Sequence, residues 1–437
     1  MKVLAFFEFG NVSAARWQWV QRCWALFGLS LILATWRLWS PQNVYPQVPF
    51  FRVAGSLPAG CQWGALAVVI VVLVIILGWL PRLNDGGRAW LFLTFVVAMA
   101  LLILTDQHRL QPWAYQLVIC AVVFGTVPSA DTLNRRRGWA LLRILTLSIY
   151  LFSALGKVDF QFLNTVGQQF LSVGLGNFGI SIDEWHRPFR LLLAAAFPLA
   201  EISVVIALTV PRLRRVGVAA TVLLHLVLLF VLGPMGLQHQ PGVLIWNGFF
   251  IAQALLLFSG SQRSEIADEE PNADERTRHR WAPTCVVLAV VVLPLLEPIG
   301  WFDHWPAWGL YSPRNSRAIV EVHQAGLRKL PPELHRHLSS TDSDTMWVKL
   351  NIDDWSLASL SVPIYPQNRF QLGVAEAIAT RYDLERTIQV RLLGMSNRVS
   401  GVREEKTLTG RHQIVLAANR FRLNAHPADP LDHISKK

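Results

Sequence analysis

The sequence predicts a polytopic α-helical membrane protein of about nine spans, with a C-terminal extramembrane α+β domain. Three observations predict it. Charged residues make up only 16% of the chain and hydrophobic ones 52%, where a soluble chain carries about a quarter charged. The deficit is uneven, because long apolar runs fill residues 1–300 while 303–437 has a soluble texture. The connecting loops alternate between arginine-rich and arginine-poor. The chain therefore divides into a transmembrane helical domain over 1–302 and an α+β domain over 303–437.

Each element follows from an apolar run of spanning length. The first span covers about Trp17–Trp36, and the second, Gly64–Leu80, is almost pure Val, Ile and Leu. The third is Ala89–Thr105, the fourth Pro112–Val127 and the fifth Trp139–Leu155. Phe160–Leu175 is half-apolar, broken by Asn164, Gly167 and two glutamines, and reads as re-entrant or interfacial. The sixth to ninth spans are Phe189–Val210, Val216–Leu232, Gly242–Phe258 and Pro283–Trp301. Met1–Asn11 has no convincing cleavage site and reads as an interfacial stretch.

The loops set the orientation. Lys2 and Arg16, Arg82 and Arg88, Arg135–Arg137, Arg212 to Arg215, and Arg263 to Arg280 fall on one side. The alternate loops offer Arg52, Arg109, and Lys157 with Arg187 and Arg190. Positive charge stays inside, so the N-terminus is cytoplasmic and the C-terminal domain lies outside a bacterial-type inner or plasma membrane. Residues 259–280 form a charged cytoplasmic linker. The net charge of +11 then reflects loops facing anionic lipid; no basic recognition motif points to nucleic acid.

Beyond Trp301 an aromatic cluster with His304 reads as an interfacial belt. Strand patterns follow at Ala318–His323, Met346–Ile352, Ile388–Leu393 and Gln413–Leu416, with a helix over Phe370–Tyr382. The four cysteines form no C-x-x-C pair, and the membrane part has no His-x-x-x-His, so neither a disulfide framework nor a metal site is predicted.

Polar groups in or beside the spans are expensive and call for partners or tasks. His108 lies in the short outer turn between spans three and four, Lys157 at the outer end of span five, and His225 within span seven. Trp246 and Asn247 lie in the outer half of span eight. The topology turns these groups toward one outward-facing cavity. In order and spacing, the Asp106–Tyr115 turn, the Tyr150–Asp159 stretch with Gly156-Lys157-Val158-Asp159, and span seven with His225 resemble the HTTM (horizontally transferred transmembrane) domain proteins. These are relatives of the vitamin K-dependent γ-carboxylase, and the resemblance covers roughly residues 10–310.

The resemblance implies Lys157 as a catalytic base toward a quinol, with His108 and His225 as supporting catalytic groups. Gln107 falls where the carboxylase has an amide, and Gln107 and Asn247 are the candidate cofactor-binding residues. The implied class is a carboxylase-like or quinol-dependent membrane enzyme. Residues 303–437 are far shorter than the carboxylase's lumenal portion and match no propeptide or glutamate site. Burial disfavours the charged form of an amine, which suits a general base, and a dry cavity shelters a reactive anion.

Plainer readings compete at every position. Lys157 can snorkel or pair with Asp159, His108 can cap its turn, His225 can bond between helices, and Asn247 can pack. Glu201 in span six calls for a structural partner or a part in proton transfer. The rival to an enzyme is a non-catalytic membrane scaffold that presents the outer domain to a partner. A transporter is disfavoured by the lack of inverted repeats.

Overall fold

The computed structural model describes residues 12–41, 44–128, 131–259, 281–340 and 346–428. The interfacial stretch expected at 1–11 and nearly all of the 259–280 linker lie outside them. Helices α1–α5 are Ala14–Ala34, Ala59–Trp79, Asp85–Thr105, Pro112–Thr126 and Thr132–Lys157. Helix α6 is Val166–Gly176, and α7–α10 are Arg187–Thr209, Arg214–Leu232, Pro241–Phe258 and Trp281–Val292. The last continues as a 3₁₀ helix over Leu293–Ile299.

Local chemistry sets the helix starts. Ser13, Asn84 and Asp131 each accept a backbone N–H of the first turn they precede. Pro112 and Pro241 occupy first-turn positions where no donor is needed. Among the described residues seven helices are long and apolar enough to cross a membrane. The first and fourth predicted spans fall outside that set: α1 carries Arg16, Gln18, Gln21 and Arg22, and α4 has only 15 residues. The half-apolar stretch after Lys157 is two short helices, Phe160–Asn164 and α6.

The helices pack in a ring, α1 on α2, α2 on α3, α3 on α4, then α5 on α7, α7 on α8, α8 on α9 and α9 back on α1. Helix α10 lies against α4 and α5. Of the seven, α5 is the central one: 78% of its apolar stretch is buried inside the protein, against 28–50% for the others. Its side chains face protein on most sides, so its polar residues are placed among other helices.

The C-terminal part is an antiparallel sheet of order β2-β3-β1-β4-β5. The strands are Arg317–His323, Leu338–Ser340, Trp347–Leu350, Ile388–Leu393 and Glu405–Thr409. Helices α11 (Ile352–Leu360), α12 (Asn368–Arg381) and α13 (Arg411–Ala418) complete it. Ala318, Val320 and Val322 alternate inward beneath α12, the period-2 pattern that selects a strand. The strand expected at Gln413–Leu416 is helix α13 instead. Gly410, at φ +81°, ends β5, and Ile414, Ala417 and Ala418 then bury one helical face. The expected strand at Met346–Ile352 stops at Leu350, because Asn351 accepts the Asp354 N–H and starts α11.

The sheet region is joined directly to the helical part. The Tyr45 hydroxyl donates to the Ile352 carbonyl at 3.1 Å, and the Phe160 N–H donates to the Arg398 carbonyl at 2.8 Å. The expected interfacial belt after Trp301 is only partly one. Trp301 is exposed, but His304 and Trp308 are buried. His304 Nδ1 lies 3.0 Å from Glu297 Oε1 and its Nε2 3.0 Å from the Ser312 carbonyl, which folds the segment back against the bundle.

Candidate functional site

Helix α5 builds the site from one stripe. Tyr150, Ser153 and Lys157 recur at i, i+3 and i+7 and so share a helix face. Lys157 Nζ donates to Ser153 Oγ at 2.6 Å and to Glu201 Oε1, from α7, at 2.6 Å. Both charged side chains are buried, and Glu201 Oε2 has no hydrogen-bond partner. The alternative pairing with Asp159 does not form, because Asp159 caps the next turn by accepting the Phe162 N–H.

A second polar group, around His225, sits two turns back along α5. The Tyr150 hydroxyl lies 2.6 Å from His225 Nε2, and His225 Nδ1 lies 2.8 Å from Asn247 Oδ1. The Asn247 amide donates to the Val243 carbonyl, so its oxygen faces the ring. The partners thus assign Nδ1–H as donor to Asn247 and Nε2 as acceptor from Tyr150. Phe250 stacks on the imidazole at 4.9 Å. The three elements α5, α8 and α9 are tied through side chains alone.

Lys157, Glu201, Tyr150, His225, Asn247 and Tyr311 line one chamber of about 40 Å³. That volume holds roughly a water or two and not an organic molecule. Tyr311 belongs to the segment after the last helix and takes φ +57°. Glu297 fixes that segment by bonding His304 and, at 2.5 Å, Arg314. A Cβ at Gly309 would stand 2.4 Å from the His304 ring, so only glycine lets the loop close over the chamber. Leu310, Tyr311 and Trp246 also line a cleft of about 660 Å³ on their other side. That cleft is of ligand size.

His108 and Gln107 are not in the chamber, which corrects the single-cavity expectation. His108 is buried between the rings of Tyr45 and Phe370, with Nε2 2.9 Å from the Pro363 carbonyl and 3.3 Å from Ser356 Oγ. Gln107 donates to the Pro49 and Asn424 carbonyls and accepts from Arg369 Nε at 2.9 Å. The reason is physical: the outer face of this turn is covered by the sheet region, so its polar groups serve that interface. Burial holds His108 down at about 4, with Arg109 adding to the shift, and burial pushes Asp106 up to about 6.

Tyr150 and Ser153 were missed as site residues in the sequence, although their spacing from Lys157 was the signal. Tyr311 had no such signal, because its place depends on the fold-back of the chain. Among the described residues no group of three His, Cys, Asp or Glu side chains converges to hold a metal. No protein-family model matches the chain, and no curated protein or solved structure matches it either.

Proposed function

We propose that the chain is an integral membrane protein whose buried chamber takes a proton from an acidic hydroxyl of a membrane-soluble, quinol-like substrate. The observation that supports this most is the Lys157–Glu201 contact at 2.6 Å, with the second carboxylate oxygen unpartnered. Transfer of the ammonium proton to Glu201 within that contact leaves a neutral amine without moving net charge into the bundle. The amine lone pair then accepts the hydroxyl proton of the substrate. The Tyr150 hydroxyl lines the same chamber, and turning its O–H from His225 Nε2 toward the substrate makes it a donor to the oxyanion. The chamber admits only the reacting edge, so the substrate body lies beyond Tyr311 or Trp246. In this reading the N-terminus is cytoplasmic and the sheet region lies outside, which the basic loops support.

A specific observation favours a second reading. Lys157 and Glu201 satisfy each other across α5 and α7, as a structural pair in a scaffold protein would. A scaffold would present the sheet region to a partner and catalyse nothing.

One variant series separates the two. Lys157→Met strands a buried carboxylate and costs about 3–5 kcal/mol in either reading. The double variant Lys157→Met/Glu201→Met removes both charges and regains the melting temperature. Calorimetric binding of menadiol, kept reduced in nanodiscs, is then the deciding measurement. Loss of binding in the well-folded double variant supports the proton-abstracting site. Undiminished binding, or none in the parent protein, overturns it and leaves the scaffold.

A further inference from the structure

The 660 Å³ cleft lies between the outer ends of α4 and α9 and the sheet region. One wall is apolar and aromatic, made by Trp113, Val243, Trp246, Trp305 and Leu310. The opposite wall carries Arg317, at the start of β1, and Lys349, on β3. Strand register puts both on the same face of the sheet, because Lys349 pairs with Glu321, an even number of residues from Arg317.

Glu321, on the same face, is held by Arg391 at 3.2 Å and by the Gln389 amide, which leaves the charges of Arg317 and Lys349 unbalanced. Arg317 spends one donor, Nη2, on the Pro313 carbonyl at 2.8 Å, while its buried Nε has no partner. Neither Arg317 nor Lys349 forms an ion pair among the described residues. Neighbouring arginines are already occupied: Arg314 holds Glu297, and Arg403 donates to four carbonyls, those of Pro313, Arg314, Asn315 and Gly394. Asp353 is the one acid among the lining residues, and its Oδ1 already accepts the Ile364 N–H at 2.8 Å. A partly buried guanidinium with an idle N–H is costly unless something binds it. Helices α4 and α9 also begin at this cleft, and their N-terminal ends favour negative charge.

We propose that the cleft binds an amphiphilic anion, with a carboxylate or phosphate held by Arg317 and Lys349 and an apolar body along Trp113, Trp246 and Leu310. Arginine suits either anion because its planar fork matches their oxygens. This site does not need Lys157 to act as a base. It adds a ligand class to the space next to the chamber, and it stands if the chamber proves inert.

The test uses the full chain in phosphatidylcholine nanodiscs. The probes are 11-(dansylamino)undecanoic acid and its methyl ester, read by energy transfer from the cleft tryptophans above that of empty discs. The acid binds saturably and the ester at least tenfold more weakly. Arg317→Gln weakens the acid at least tenfold without changing the ester, Lys349→Gln about threefold, and Arg317→Lys less than Arg317→Gln. Should Arg317→Gln not fold, Lys349→Gln carries the same comparison. Competition sorts the source of the anion: lauric acid displacing best points to a free fatty acid class, and lysophosphatidic acid displacing best to a phospholipid class. Inorganic phosphate displacing as well as either would remove the apolar body from the proposal and overturn it. Equal affinity for acid and ester, or indifference to both cleft substitutions, overturns it too. The Lys157→Met/Glu201→Met variant binds the acid normally, which keeps this outcome separate from that of the chamber.

Discussion

Two buried polar regions, each holding one of the predicted histidines, use their polarity differently. Around the Gln107–Arg109 turn the partners are mostly backbone carbonyls. Arg109, fully buried, donates to the carbonyls of Leu38, Ser40 and Leu102, and to Thr105 and Gln62. His108 and Gln107 likewise reach Pro363, Pro49 and Asn424 carbonyls. In the chamber, Lys157, Glu201, Tyr150, His225 and Asn247 bond chiefly to one another. A carbonyl accepts a hydrogen bond but does not take up a proton at ordinary pH. The turn is thus a fixed clasp between loops and sheet region, whereas the chamber joins groups that can pass a proton.

The largest expected effect tests the clasp. Arg109→Met keeps the length and loses five hydrogen bonds, taking a charged donor from the buried Leu38 and Ser40 carbonyls and the Gln62 side chain. The expected cost exceeds about 4 kcal/mol, beyond the range of ordinary substitutions. Folded yield and melting temperature in detergent both fall steeply. A variant that melts like the parent would break the comparison, since the turn would then carry polarity for some purpose other than stability.

The next effect is a pH dependence with a definite sign. Burial depresses His108 from 6.5 to about 4, so below pH 6.5 the unfolded chain takes a proton that the folded chain refuses. This contribution lowers stability as pH falls from 6.5 toward 4. Asp106 acts oppositely: raised from 3.8 to about 6 by burial, it binds its proton earlier in the folded chain and adds stability on acidification. His108→Gln removes the first contribution and keeps the second. The variant starts less stable at pH 7, having lost the ring's contacts, and the gap to the parent narrows by up to about 3 kcal/mol by pH 4. Melting temperatures across that range measure it. A gap that stays constant would mean the imidazole is not excluded from water.

The sequence was legible where one period dominated. All nine apolar runs fall on helices, because a run such as Gly64–Leu80 is far longer than a strand and almost uniformly apolar. Ile388–Leu393 was found to the residue as a strand. Gln413–Leu416 was misread because a four-residue apolar run suits either period, and the packing of Ile414 against α12 decided it. His108 was misplaced for a different reason. Its side of the bundle was inferred from the loops, but which surface covers that side depends on contacts more than 200 residues away in the chain, at Ser356 and Pro363. Glu201 as the partner of Lys157, 44 residues distant, is a pairing that no local pattern encodes.

The smallest stability effect sharpens the comparison most, by matching one buried tyrosine from each region. Tyr365 belongs to the sheet region, and its hydroxyl donates to Asp303 at 2.6 Å; the Tyr150 hydroxyl donates to His225 at the same distance. Tyr365→Phe removes a bond to a carboxylate and costs about 1.5–3 kcal/mol, while Tyr150→Phe removes a neutral bond and costs about 0.5–1.5 kcal/mol. The order reverses for ligand binding. Tyr150→Phe weakens menadiol binding about tenfold, the equivalent of one hydrogen bond, because it removes a chamber-lining hydroxyl whose O–H turns from His225 to the ligand oxygen on binding. Tyr365→Phe leaves that affinity unchanged in the molecules that remain folded. Calorimetry and melting on the two variants provide both readings at once. Equal losses of affinity would mean the chamber and the clasp respond as a single structural unit, and the proton-passing character assigned to the chamber would have to be withdrawn.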